Sequence, residues 1–224
     1  MPMNRPYQGP DELPDSVPLF PLEGVLLLPR CQLPLNIFEP RYLAMIDAAM
    51  AGDRLIGMIQ SDPRGGALPH GPALAAVGCV GRITELAETG DGRYVLSLSG
   101  VARFRLLEEL AVDTPFRRAR VDFTAFADDF IPNRGADQVD RGQLLRTLAS
   151  YLDANKLEAD WDNIKGAPNE TLVNNLAMMS PFGAREKQAL LEAADLRTRA
   201  EILVAVTEMT LARTADGGDN TPLQ

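Results

Sequence analysis

Residues 33–50, "LPLNIFEPRYLAMIDAAM", decide how the first half of the chain folds. Pro40 holds its own φ near the helical value and pushes Glu39 into an extended conformation. A strand-to-helix corner is therefore written into Phe38–Tyr42, with Pro40 at the first helical position. Tyr42, Leu43, Ile46, Ala49 and Met50 then recur at helical spacing, and Gly52 is placed to stop the helix. Upstream, "VPLFPLEGVLLLPRCQLPL" is broken by Pro18, Pro21, Gly24, Pro29 and Pro34. Prolines in strands belong at edges, ends and bulges, which predicts short, bent strands, with Val25–Leu28 as a buried one.

Downstream, "LIGMIQ" reads as a buried strand and "SDPRGGALPHGPA" as a loop without periodicity. Two alternating runs, "VGCVGRITELAE" and "RYVLSLSGVARFRLLEEL", flank Thr89-Gly90-Asp91-Gly92, a strong hairpin signal. "PFRRARVDF" completes an antiparallel β half carrying one main helix. From about residue 137 the period changes. Leu144, Leu145, Leu148, Tyr151 and Leu152 make one helical stripe; Leu172, Val173, Leu176 and Met179 make another; Ile202, Val206 and Met209 make a third. Ser180 before Pro181 reads as a helix cap, and Asp195 as the cap of the last helix. The expected organisation is α+β: a disordered 1–13, a β domain at 14–123, a linker at 124–136, a helical bundle at 137–213 and a disordered tail at 214–224.

The composition excludes several function classes. No apolar run approaches the ~20 residues of a membrane span, and the N-terminus lacks the apolar stretch of a secretory leader. A net charge of −9 opposes a general nucleic-acid binder and an anionic membrane partner, because both need a concentrated basic surface. Cys31 and Cys79 with the single His70 are too few for a zinc site of protein ligands, and two cysteines suit a reducing cytoplasm. No cofactor is expected.

Catalytic patterns are equally sparse. No GxxxxGK[ST] phosphate cradle occurs, and His70 has no nucleophile elbow to serve. Lys156, Lys165 and Lys187 read as solvated lysines on polar helix faces rather than partners of a catalytic serine. Asp128-Asp129 and Glu108-Glu109 are sequence neighbours that face apart on a strand, so they read as surface charge. Cys31 beside Arg30 reads as structural. Arg103, Arg105, Arg118 and Arg120 would form a basic stripe if their strands paired, which is the basis of a minor RNA-binding alternative.

"LPLFPLEGVLLLPRCQLPLNIFEPRYLAMIDAAM", "LIGMIQ", "GCVGRITE" and "YVLSLSGVARFRL" together resemble the N-terminal substrate-recognition domain of Lon-type proteases over most of residues 14–123. "PNETLVNNLAMMSPFGAREKQALLEA" resembles the helical part of short stand-alone bacterial members. The resemblance implies a PUA-like antiparallel β-barrel domain followed by a C-terminal helical bundle. It also implies a role in contacting protein substrates rather than cutting them. The ATPase and Ser–Lys peptidase modules of a complete Lon protease leave no signature in these residues, so a label of ATP-dependent protease would describe the parent family.

The expected function is thus a non-catalytic protein- or peptide-binding module. Its expected partners are unfolded or hydrophobic protein segments, with a separate protease as a second candidate partner. A residual peptidase or hydrolase and an RNA-binding PUA-like module are the alternatives. Glu39, Pro40 and Arg41 are expected to be the structural joint. Phe38 and Tyr42 are expected to contribute an apolar contact surface, to which Met45, Met58, Met178 and Met179 could add.

Overall fold

The computed structural model describes residues 5–62, 64–68 and 71–217. His70, the loop histidine of the sequence reading, lies outside the described residues, as do residues 218–224 of the tail. The chain divides into two compact units, residues 1–132 with 182–191, and residues 133–181 with 192–224. The segment 182–191, which the expected bundle at 137–213 included, falls in the first unit.

The first unit carries β1 (Ser16–Pro21), β2 (Gln32–Ile37), α1 (Pro40–Met50), β3 (Leu55–Ile59), the two-residue strands β4 (Ala67–Leu68) and β5 (Gly71–Pro72), β6 (Val77–Glu88), β7 (Tyr94–Glu109) and β8 (Arg118–Asp122). The main sheet runs β2-β7-β6-β3-β1-β8, with β7 pairing to β8 as well. It is mixed rather than antiparallel throughout. Leu19, Phe20 and Pro21 of β1 pair in parallel with Gly57, Met58 and Ile59 of β3. A parallel pair needs a long crossover, which β2 and α1 supply. The predicted hairpin joins β6 to β7, its turn closed by Thr89 N–H donating to Arg93 O over 3.0 Å with Gly90 and Gly92 at positive φ.

Val17, Leu19, Leu55, Ile59, Val80, Ala102, Phe104, Val121 and Phe123 form the core of this unit. Gly78 is required there: a Cβ would meet the Met58 carbonyl oxygen at 2.6 Å and collide with the Phe104 ring. Val25–Leu28 is not the predicted strand. Leu26, Leu27 and Leu28 are buried, but in irregular backbone framed by turns at Glu23-Gly24 and Pro29-Arg30. Residues 5–13 also differ from the expected disorder. The Tyr7 ring stacks on the Arg82 guanidinium at 4.1 Å, and Pro10–Glu12 forms a 3-10 turn. The expected linker is likewise structured, as a 3-10 segment over Thr124–Phe130 that buries Phe126 and Asp129.

The second unit holds α2 (Arg141–Asn155), α3 (Trp161–Gly166), α4 (Asn169–Met179) and α6 (Leu196–Gly217). Asp140 caps α2 by accepting from Gln143 N–H at 2.9 Å, and Asp160 caps α3 by accepting from Asn163 N–H at 3.1 Å. Asp195 caps α6 as predicted, accepting from Thr198 N–H at 2.7 Å. Ser180 does not begin a helix. It ends α4 with ψ of 140°, the extended conformation that a following proline enforces. The buried face of α6 runs through Leu196, Ala200, Leu203, Val204 and Thr207, one residue round from the predicted stripe, and leaves Met209 exposed. Helix α5 (Ala184–Glu192) contributes its residues through Leu191 to the first unit, where Gln188 Nε2 donates to Val77 O at 3.1 Å.

Candidate functional site

The Phe38–Tyr42 corner forms as the proline chemistry requires. Glu39 has φ −73° and ψ 132°, the extended value, and Pro40 opens α1. The Glu39 carboxylate accepts from Arg41 Nε at 2.9 Å and does not cap the helix. Arg41 also lies over the Tyr42 ring, 4.5 Å from its centroid. The corner thus carries one exposed ion pair, between Glu39 and Arg41, and one ring contact, of Arg41 with Tyr42.

Phe38 and Tyr42 do not share a surface. Tyr42 is only 8% exposed, its ring 4.3 Å from that of Phe20 on β1. Burial pushes its hydroxyl above the ordinary tyrosine value, and the nearby Arg41 cation opposes that rise. Helical spacing turns position 42 inward. Phe38, the last residue before the corner, is 61% exposed.

What surrounds Phe38 follows from register. Residues 94–99 of β7 lie between β2 and the outer half of β6, pairing Asn36↔Val95 and Ile37↔Tyr94 on one side and Ala87↔Val95 on the other. Strand alternation divides this three-stranded arm into two faces. Ile37, Leu96 and Leu98 are buried on the face where the Tyr94 hydroxyl donates to Asp47 Oδ1 of α1 at 2.9 Å. On the opposite face Asn36, Val95 and Ala87 stand side by side and exposed. One register step further, the Arg93 guanidinium lies 6.0 Å from the Phe38 ring centroid. The result is an apolar strip, Phe38–Val95–Ala87, edged by Arg93 and Glu85. Val95, Ala87 and Arg93 escaped sequence reasoning, since only the pairing of β2 with β7 brings them to Phe38.

The other sequence candidates are dispersed. Asp129, read as surface charge, is buried and accepts from Arg103 through its backbone N–H at 2.9 Å, Nε at 2.9 Å and Nη2 at 2.8 Å. Arg103 Nη1 donates to Leu191 O at 3.1 Å, and the Phe126 ring lies 4.6 Å from the guanidinium. The basic stripe therefore does not form. Arg103 is buried and neutralised, Arg120 pairs with Glu108 at 3.2 Å, and Arg105 faces Asp122 across the β7–β8 ladder. Lys187, expected on a solvated face, is buried on α5, and that burial lowers its pKa. Lys156 and Lys165 are exposed. Met45 and Met58 are core residues, whereas Met179, which shares the helical stripe of Leu172 and Leu176, is 81% exposed. Cys31 and Cys79 are buried free thiols. Among the described residues no cluster of three or more His, Cys, Asp or Glu side chains is placed to hold a metal, and no helix is long and apolar enough to cross a membrane.

Comparison with known proteins adds a family to this geometry. Residues 16–207 match the family model described as the ATP-dependent protease La (LON) substrate-binding domain. A Lon protease of Desulfosudis oleivorans is 28% identical over 196 residues, covering 84% of this chain and 23% of that protein. Lon protease 2 of Myxococcus xanthus is 27% identical over 198 residues, covering 87% of this chain and 24% of its own length. The chain thus spans about a quarter of the length of these curated relatives. The fold is that of solved Lon N-terminal domains. The N-terminal domain of the Mycobacterium avium complex Lon protease superposes with a TM-score of 0.63 at 17% identity over 86% of this chain and 98% of its own. A Lon N-terminal domain protein from Xanthomonas campestris gives 0.58 at 24% identity, over 85% and 97%.

Proposed function

The chain belongs to the Lon protease substrate-binding domain family, and from that premise we propose that it is a non-catalytic protein-binding module whose contact surface is the Phe38–Val95–Ala87 strip. One observation carries the reading: a large aromatic side chain, 61% exposed, at the end of a strand whose neighbours add apolar surface on the same face. Isolated exposed apolar residues need no explanation, but a run shared by β2, β7 and β6 offers a platform for unfolded or apolar segments of other proteins. Tyr42, being buried, is left out of that surface. Such a module would present clients to a separate protease, and the buried free thiols of Cys31 and Cys79 suit a cytoplasmic setting. The matching family model describes the substrate-binding domain and not the ATPase or peptidase modules, in keeping with binding without cleavage.

A PUA-like barrel is the architectural part of the same proposal. It is supported by the β7–β8 pairing, which joins the last strand of the sheet back to a central one. The contact is expected to run through side chains more than through strand addition. β2 is the edge strand, and Pro34 in its middle leaves it one N–H short.

Fluorescence anisotropy with a labelled, permanently unfolded client, without ATP, tests the site. The wild-type protein should bind, and Phe38→Ser combined with Val95→Ser should weaken binding about tenfold or more, the loss of two contact side chains. Unchanged affinity in that double variant would remove the strip from the binding surface.

A further inference from the structure

The first unit carries a groove of about 270 Å³ whose walls include Tyr7, Arg30, Arg82, Thr84, Ser99 and Asp129. Arg82 is the unusual member. It is 8% exposed, and its Nη1 donates to the Arg5 carbonyl at 2.7 Å while the Tyr7 ring lies 4.1 Å from the guanidinium. No carboxylate pairs with it among the described residues. A buried guanidinium is normally matched by an acid, because desolvating a lone charge is costly and a backbone carbonyl with a ring face offsets that cost only in part.

The acid nearest to hand is already committed elsewhere. Asp129 lines the groove, but its two carboxylate oxygens bond Arg103 and only its backbone carbonyl accepts from Arg30. The groove therefore presents a buried guanidinium with no carboxylate partner among the described residues, beside Thr84 and Ser99, within a protein whose net charge is −9. That arrangement complements one ligand chemistry. A planar carboxylate matches the guanidinium fork, and the Ser99 hydroxyl on the same wall can donate to a remaining lone pair, the Thr84 hydroxyl being committed to Ser97 O at 3.2 Å.

We propose that this groove receives a carboxylate of an extended client segment against Arg82, which makes the module selective for charge as well as for apolar surface. The inference rests on the protein-binding reading above and names part of the client's chemistry. Such a carboxylate comes from the C-terminus of a client polypeptide or from an Asp or Glu side chain, and the two sources are separable by peptide design.

Three N-terminally labelled peptides on the sequence Gly-Phe-Gly-Leu-Phe serve as probes. One ends in a free carboxylate, one in an amide, and one is amidated with Asp replacing the central Gly. Anisotropy with the full-length protein should show about tenfold tighter binding of a carboxylate-bearing peptide than of the neutral amide, a preference that weakens as salt is raised. The free-acid peptide leading identifies a C-terminal carboxylate, and the Asp peptide leading identifies a side-chain one. Arg82→Gln should erase the preference while leaving the amide's affinity unchanged, and Arg82→Lys should keep part of it. If Arg82→Gln loses its fold by circular dichroism, the wild-type Arg82 Nε–H resonance decides. It should shift with the carboxylate peptides and stay put with the amide. Equal affinity for all three peptides, a preference surviving Arg82→Gln, or an unmoved Arg82 resonance would each overturn the proposal. The unfolded client is measured alongside. Client binding without a carboxylate preference overturns this inference alone, whereas no binding of client or peptides overturns the protein-binding reading with it.

Discussion

Two arginine–carboxylate pairs, one near each half of strand β7, could hardly differ more. Around the inner half, Arg103 and Asp129 are both buried, joined through three N–H groups and backed by Leu191 O and the Phe126 ring. Around the outer half, at the corner that follows β2, Arg41 and Glu39 pair in solvent with side chains 55% and 43% exposed. The inner half of β7 is fenced by β6 and β8 and carries Phe104 into the core. The outer half has β2 at an open edge and carries Val95 into water. One continuous strand thus runs from a buried half to an exposed one. The lesson is that burial and exposure need not be assigned to different elements of a fold.

The comparison breaks most severely if the inner pair proves dispensable. Asp129→Ala leaves a buried guanidinium unmatched and removes the acceptor of the Arg103 backbone N–H. It should cost about 3–5 kcal/mol in urea unfolding. Replacing both partners with apolar side chains should recover much of that loss, since the desolvation cost leaves with the charges. A loss below about 1 kcal/mol for Asp129→Ala would mean that the inner half is as permissive as the arm.

A smaller effect separates two aromatic residues four positions apart. Tyr42→Ala empties a packed site against Phe20 and should destabilise by about 3 kcal/mol. Phe38→Ala should change stability by no more than about 0.5 kcal/mol, as surface substitutions do, while weakening client binding. Thermal melts and client anisotropy on the two variants give a crossed pattern if the arm separates fold from contact. Parallel losses in both assays would sink that separation.

Much of this was legible in the amino-acid sequence. The Glu39-Pro40 corner, α1, the Thr89–Gly92 turn and the change of period near residue 137 follow from φ restriction, turn chemistry and periodicity, which are local. The resemblance carried the family. What stayed hidden is non-local. The parallel β1–β3 pair depends on a crossover that no short window reports. The burial of Asp129 depends on Arg103, 26 residues away, and that of Lys187 on a helix that returns to the first unit. The apolar strip was half legible: Phe38 stood out at the joint, but Val95 and Ala87 reach it only through strand register. Tyr42 looked like Phe38's companion by adjacency, whereas its place on the helical stripe with Ile46 and Ala49 turns it to the core.

Acid should distinguish the two halves most gently. At the hairpin tip the Thr89 hydroxyl donates to the Asp91 carboxylate, which lowers the Asp91 pKa, with Arg93 adding to the effect. A carboxyl whose pKa is depressed by folding adds stability that is complete above its unfolded value, about 3.9. That contribution is lost as the pH falls through the lower folded value. The turn joining β6 to β7 should therefore loosen at acid pH before the closed half does. Amide exchange followed by NMR from about pH 5 downward, corrected for the intrinsic rate, should show protection falling first over residues 86–95 and later over 102–105. Thr89→Val should bring that early loss to higher pH, because the depressed pKa then has no hydroxyl to sustain it. Simultaneous loss in both segments would mean that the arm and the base open as one cooperative unit, and that the platform carrying Phe38 has no freedom of its own.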